Sequence, residues 1–269
     1  MVLPLQTGIL YGPVRSRRYG RSLGINLSPA AYKLCSFNCA YCHYGPTDKL
    51  SLDTAPFRDD LPPYDAVVHA VENTLKSPTQ FDVITFSGNG EPTLHPRFPE
   101  LVDAVVRLRD AYRPGVKVAL LSNSTGLGRK EVRESISRLD LPVFKLDAGT
   151  EKTFIKINRP APGVRFGDIV SHLRALDGIY IQTVLIEGSP SNTDPDEILA
   201  YFGLIRDIRP RAVHVYSTDR PVPESRISKI DPDWLEELAS QLKSETGVPA
   251  FAFYSGEKRS SARIDTEIN

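Results

Sequence analysis

Cys35, Cys39 and Cys42 are the only cysteines in this 269-residue chain, and one loop carries all three. An odd count at such close spacing cannot build a disulfide framework, and in a reducing compartment it points to metal binding or catalysis. The loop reads Lys33-Leu34-Cys35-Ser36-Phe37-Asn38-Cys39-Ala40-Tyr41-Cys42-His43-Tyr44-Gly45. Three thiolates can hold three irons of a cubane [4Fe–4S] cluster. Full thiolate ligation takes four cysteines, and no fourth exists here. One iron would stay open to a small molecule, and an open coordination position marks a reactive metal site. Two other readings stand beside this one. Cys39-Ala40-Tyr41-Cys42-His43 matches the pattern of c-type haem attachment, which leaves Cys35 unexplained and finds no methionine beyond Met1. Alternatively His43 completes a closed zinc site with the three thiolates, a staple that a chain of this size has little need of.

The elements that must position this loop are legible as alternating runs. Six short apolar stretches rich in β-branched and aromatic residues predict strands at 23–27, 83–87, 118–122, 143–147, 180–187 and 213–218. Between and after them, helical periodicity predicts helices at 64–75, 98–111, 129–139, 166–176, 196–208 and 231–244. Thr193 or Asp194 is placed to cap the helix that Pro195 opens, and Asp231-Pro232 repeats that signal for the last helix. Alternation of this kind implies right-handed βαβ units and a parallel sheet. Six units are too few for a closed eight-stranded barrel. The expected fold is therefore α/β, a partial (β/α)6 barrel of parallel strands open on one side, with functional groups at the carboxyl ends of the strands. Its length suits one domain, 1–269. The core would span about 11–230, followed by a helix and short strand within 231–255 and a flexible tail at 256–269. Pro62-Pro63 is the other place expected to be flexible.

Composition is that of an ordinary soluble protein, 41% hydrophobic and 25% charged. No apolar run approaches the ~18 residues of a membrane span, and Met1 to Gly12 shows no secretory signal, so a cytoplasmic location is expected. The formal net charge of zero argues against a generic nucleic-acid binder. The amino-terminal segment is locally basic, however. Arg15, Arg17, Arg18, Arg21, Lys33 and Lys49 face only Asp48 among the first fifty residues. Such a patch would meet a phosphate or carboxylate, or remain a solvated loop.

Cys-x3-Cys-x-aromatic-Cys directly after a first strand, in a six-fold β/α chain, resembles the radical S-adenosylmethionine (SAM) superfamily. The resemblance implies that the open iron chelates the amino and carboxylate groups of SAM. Reduction then cleaves the sulfonium, and the 5′-deoxyadenosyl radical takes a hydrogen atom from a substrate. Iron–sulfur potentials reach low enough for this, down to roughly −700 mV. Gly88-Asn89-Gly90-Glu91-Pro92, at the end of the second strand, is similar to the family's GGEP segment, which receives the methionine ammonium. The match departs by one inserted Asn. The resemblance implies that Tyr41 and the backbone of His43 and Tyr44 border the adenine.

The later strand ends supply further candidates. Asn123 and Ser124 suit ribose hydroxyls or the methionine carboxylate, or cap the next helix. Lys145 and Asp147 lie two apart on one strand and so share a face. Two charges inside a barrel need a ligand or each other, which makes them candidates for SAM and substrate contact, with a mutual ion pair as the alternative. Gln182 and Asn192 belong to the strand and loop that help bind ribose and adenine in the family. His214 is expected to be a packed residue, whereas Arg220, just past the sixth strand, is a candidate to hold an anionic substrate group. The segments Gly12–Ile25, Lys156–Pro160 and Thr218–Pro221 resemble a poorly characterised bacterial group near the wyosine (tRNA imidazoguanosine) synthases. Those synthases use extra amino-terminal cysteines for a second cluster, and none occurs here. The expected function is thus a single-cluster radical SAM enzyme fed by a flavodoxin or ferredoxin, acting on a phosphorylated small molecule or RNA. A glycyl-radical activase acting on a partner protein is the alternative. A non-enzymatic iron–sulfur electron carrier is the third reading.

Overall fold

The computed structural model describes residues 2–255, and the tail expected at 256–269 lies outside them. An antiparallel hairpin of β1 (Leu10–Ser16) and β2 (Gly20–Ile25) opens the chain. The cysteine loop follows, with a short parallel pair, β3 (Leu34–Cys35) and β4 (Lys49–Leu50). Next come α1 (Tyr64–Lys76), β5 (Val83–Phe86), α2 (Phe98–Tyr112), β6 (Lys117–Ser122), α3 (Lys130–Ile136) and β7 (Leu141–Lys145). Two helices, α4 (Glu151–Asn158) and α5 (Phe166–Arg174), precede β8 (Tyr180–Gly188). The chain continues with α6 (Pro195–Ile208), β9 (Ala212–Ser217), β10 (Ile227–Lys229), α7 (Pro232–Thr246) and β11 (Ala250–Phe253).

The main sheet runs β1-β2-β5-β6-β7-β8-β9-β11, parallel from β2 onward. All six expected strands are present, the first shifted to start at Gly20 rather than at residue 23. β11 adds a seventh parallel strand, and β10 pairs antiparallel with the end of β8. The sheet curls far enough that the Tyr19 hydroxyl, just ahead of β2, lies 3.3 Å from His214 Nδ1 on β9. The two outer strands, β1 and β11, do not pair, so the barrel is partial and open on one side as expected.

Helix starts follow the expected chemistry. The Asp194 and Asp231 side chains accept hydrogen bonds from Asp196 N and Asp233 N, with proline in each first turn. Helix α4 escaped the periodicity reading because five of its eight residues are polar. It starts on Thr150, which caps it together with the buried Glu197 of α6. Pro62-Pro63 is tied rather than loose: Pro63 opens α1 and the Pro62 carbonyl bonds His95 Nε2 at 3.0 Å.

Apolar side chains divide between two cores. The larger packs the helices on the outer face of the sheet; a small inner one groups Val83, Ala119, Leu141, Val143, Tyr180 and Ala212 with Tyr19 and Phe251. That inner group plugs the amino-terminal end of the barrel. Among the described residues, no helix is long and apolar enough to cross a membrane.

Candidate functional site

The cysteine loop is held by its own backbone and by the segment after α4. Asn38 N donates to the Asn158 and Arg159 carbonyls at 3.0 and 3.1 Å, Ala40 N to Ile157 O at 2.9 Å, and Ala161 N to Ser36 O at 2.8 Å. Arg159 takes a left-handed conformation, φ 46°, which ends α4 and turns the chain along the loop. The Lys156–Pro160 motif is therefore a bracket for the cysteines, a role its sequence did not disclose.

A cavity of about 230 Å³ opens at the carboxyl ends of the strands. All three cysteines line it, with Tyr41, His43, Tyr44, Gly88, Gly90, Glu91, Asn123, Lys145 and Gln182 among the expected site residues. Lys33, Tyr216 and Thr218 join them. Ser124, Asp147, Asn192 and Arg220 do not line it. The Ser124 hydroxyl donates to the Lys145 carbonyl at 3.1 Å. Asn192 bridges Asp147 O, Val184 O and Ile186 N, holding the strand ends together. Arg220 is exposed outside the cavity.

Two of the glycines make room for the chain itself. A Cβ on Gly90 would lie 1.8 Å from the Leu34 carbonyl, and one on Gly88 would lie 2.5 Å from Asn26 Oδ1. Glycine is thus required for the strand end to sit against the entry to the cysteine loop. The inserted Asn89 is buried. Its amide accepts from Gln6 N at 2.7 Å and donates to Gln6 O at 2.8 Å and Pro29 O at 3.0 Å. It clips the amino-terminal segment beside the loop, where Leu3 N bonds His43 O and Gln6 bonds Tyr44. Glu91 is committed to the protein as well. It accepts from Thr93 N, Thr93 Oγ1, Ser122 Oγ and Asn123 N at 2.6–3.1 Å. Three of these bonds reach Oε1 and one reaches Oε2, so Glu91 joins the ends of β5 and β6 while Oε2, on the cavity wall, can accept a further bond.

Electrostatics at the cysteines are specific. Burial pushes the Cys35 thiol up to about 12 and the Cys39 thiol up to about 11. Such thiols shed their protons only to a metal, which replaces the proton. Amide donors already face two of the sulfurs: Phe37 N and Asn123 Nδ2 at 3.4 and 3.6 Å from Cys35, and Asn158 Nδ2 at 3.5 Å from Cys39. Two ammonium groups, Lys33 buried and Lys145 partly so, stand in the same cavity. Lys33 Nζ donates to Gly45 O at 2.7 Å, and Lys145 Nζ donates to the Tyr41 hydroxyl at 3.0 Å. Burial opposes the Lys145 charge, yet the Asp147 carboxylate 3.7 Å away holds its pKa above the usual lysine range. Asp147 is fully covered, and it also takes bonds from Tyr41, Asn158 and Val184 N. The mutual ion pair of Lys145 and Asp147 is what the structure shows. Three metal-bound thiolates are the negative charge that this pair of cations, only one of them matched by a carboxylate, would balance. Among the described residues, no three His, Cys, Asp or Glu side chains converge on a single ion. The residues present fit an iron–sulfur cluster better than a closed zinc site.

The basic patch is less free than its sequence suggests. Arg17 pairs with Asp219, and Arg21 with Asp82. Arg18 turns inward, donating to Gln182 Oε1 at 3.0 Å and stacking 5.2 Å from the Tyr216 ring centre and 5.1 Å from that of Tyr19. Gln182 and Tyr216 both line the cavity, so Arg18 stands directly behind its wall. His43 also faces the cavity. Burial, then Arg220 and Arg17, lower its pKa.

The family profile described as the radical SAM superfamily matches residues 31–202. UPF0026 protein slr1464 from Synechocystis sp. is 30% identical over 265 residues, covering 89% of this chain and 94% of that protein. A radical SAM methyltransferase from Sphaerobacter thermophilus superposes with a TM-score of 0.62 at 14% identity, over 90% of this chain and 69% of the other. TYW1, solved with a lysine-pyruvate adduct bound, gives 0.58 at 16%, over 89% and 78%. At these identities the two structures establish the shared fold alone. The match over the cysteine loop and the four β/α units after it carries the conclusion: the chain is an enzyme of the radical SAM superfamily, whose members use a [4Fe–4S] cluster and SAM, and it belongs within that superfamily to the UPF0026 family.

Proposed function

We propose that Cys35, Cys39 and Cys42 hold a single [4Fe–4S] cluster whose fourth iron is left to SAM, and that the residue roles are as follows. Bound together, the cluster and SAM supply reductive cleavage of the sulfonium and a 5′-deoxyadenosyl radical for hydrogen abstraction. Lys33 and Lys145 offset the negative charge of the thiolates. Tyr41, His43 and Tyr44 border the adenine, Gly88, Gly90 and Asn123 offer polar groups to the methionine end, and Gln182 faces the ribose. Asp147 keeps these walls in place behind the cavity, and Glu91, which joins the ends of β5 and β6, keeps Oε2 open to the methionine end. Residues 11–230 form the working core of one domain. Work in the cytoplasm suits three free thiols, which that compartment keeps reduced. A low-potential one-electron donor, a flavodoxin or ferredoxin, is the redox partner.

For the substrate, the wall formed by Gln182 and Tyr216 with Arg18 behind it supports an anionic group, a phosphate or carboxylate, entering from the open side of the barrel. Relation to the wyosine synthases is a matter of fold and sequence grouping; one set of three cysteines supports one cluster. TYW1 is known with a lysine-pyruvate adduct. Here Lys145 is held as an ammonium by Asp147 and Lys33 is tied to a carbonyl, which disfavours an amine nucleophile.

The observation that carries the reading is the set of three thiols lining one cavity beside the ammonium groups of Lys33 and Lys145. Anaerobic reconstitution should load about four irons per chain, the content of one cubane. Strong reductant with SAM should then release methionine and 5′-deoxyadenosine, quantified by chromatography. Iron-loaded protein that leaves SAM intact would turn the reading toward an electron carrier.

A further inference from the structure

We propose that Asn158 is a positioning residue for the cluster: its side-chain amide holds an N–H against the Cys39 sulfur and raises the potential at which the cluster takes up its electron. This rests on the assignment of Cys39 as a ligand.

Asn158 is buried at 1% exposure, at the last position of α4. Its Nδ2 stands 3.5 Å from Cys39 Sγ and 2.7 Å from Asp147 Oδ2. A primary amide has two N–H donors, so both are spoken for. Turning the amide over would set its oxygen against the Asp147 carboxylate, an acceptor facing an acceptor. Asp147 therefore decides which end of Asn158 faces the sulfur. Asp147 is itself fixed, by Val184 N at 2.9 Å, by the Tyr41 hydroxyl and by Lys145. Order is transmitted from the Lys145–Asp147 ion pair, at and just past the end of β7, through one amide to one sulfur. An N–H donor to a ligating sulfur stabilises the more negative, reduced state, and hydrogen bonds to sulfur are among the determinants of iron–sulfur potentials. The backbone bracket around the cysteine loop uses carbonyls of Ile157, Asn158 and Arg159. Side-chain substitution leaves those carbonyls in place.

The test compares wild type, Asn158→Ala and Asn158→Leu after anaerobic reconstitution. Leucine keeps the volume and excludes a water that would otherwise replace the amide. Iron content, the midpoint potential from EPR-monitored titration, and exchangeable-deuteron couplings of the reduced cluster are measured. The expected result is full iron in both variants, loss of one exchangeable coupling, and a lower potential. At the wild-type midpoint the ratio of reduced to oxidised cluster should fall about tenfold, which is about 59 mV for a one-electron couple. Full iron with unchanged potential and couplings overturns the proposal. Folded variants that hold no iron would show a structural role only, and also overturn it. If circular dichroism shows the alanine variant unfolded, the leucine variant carries the test. Wild type that binds no cluster removes the ligand assignment itself, and this inference with it.

Discussion

Lys145 and His214 sit in one row across the barrel, each paired in register with Gln182 on the strand between them. His214 is buried and Lys145 largely covered, and their fates are opposite. Lys145 faces the cavity and has Asp147 and the Tyr41 hydroxyl beside it, so its charge survives. His214 stands among the rings of Tyr19, Tyr180 and Phe253, with centroids 5.3–6.1 Å away, and Nε2 has no partner. Burial, with Arg18 adding to it, drives its pKa well below the ordinary histidine value. Neighbours, and not height in the barrel, separate the two: a carboxylate stands beside Lys145, whereas aromatic rings and the Arg18 cation stand beside His214.

The sharpest way to break the contrast is to remove a thiolate. Cys39→Ala should take the iron content from about four per chain to near zero and abolish SAM cleavage, with an unchanged far-UV dichroism spectrum. Retained iron and activity would remove Cys39 from the ligand set. Next in size is Asp147→Ala, which leaves the largely covered Lys145 beside no carboxylate. Removing one partner of a buried pair costs about 3–5 kcal/mol, to be read from urea unfolding of the metal-free protein. A loss under 1 kcal/mol would mean that the ion pair is not what keeps Lys145 charged.

The smallest effect belongs to His214. Above pH 6.5, the ordinary histidine value, His214 is neutral whether the chain is folded or not. As pH falls below 6.5 the unfolded chain takes up the proton and the folded chain does not, so stability is lost. The slope is about 1.4 kcal/mol per pH unit for one such group. Burial also lowers His95, which adds to the slope. His214→Phe should flatten the decline between pH 6.5 and 5 and leave iron binding as in wild type. An unchanged slope would mean that His214 is protonated inside the folded chain.

Much of the architecture was legible because it follows from local pattern. Six apolar runs became six parallel strands, and Asp-Pro pairs started helices, since burial periodicity and capping act within a few residues. Helix α4 was not legible, because only three of its eight residues are apolar. Nor was the role of Lys156–Pro160, because nothing in those five residues announces that their carbonyls meet a loop more than a hundred residues earlier. Arg17 and Arg21 read as free cations only because their carboxylate partners lie far along the chain.

By itself, then, the order of residues determined the chemistry on offer: three thiolates and no fourth, set in a loop after a strand, ahead of repeated β/α units. Spacing along a chain is enough for that, because ligand number and secondary structure are short-range properties. Which charges are matched was decided only by the curled sheet. It brings Asp147, Tyr41 and Asn158 around Cys39, commits Glu91 to the walls and encloses His214 in aromatic rings. Burial and hydrogen-bond partners are properties of position in space, and so they appear only once the chain has folded.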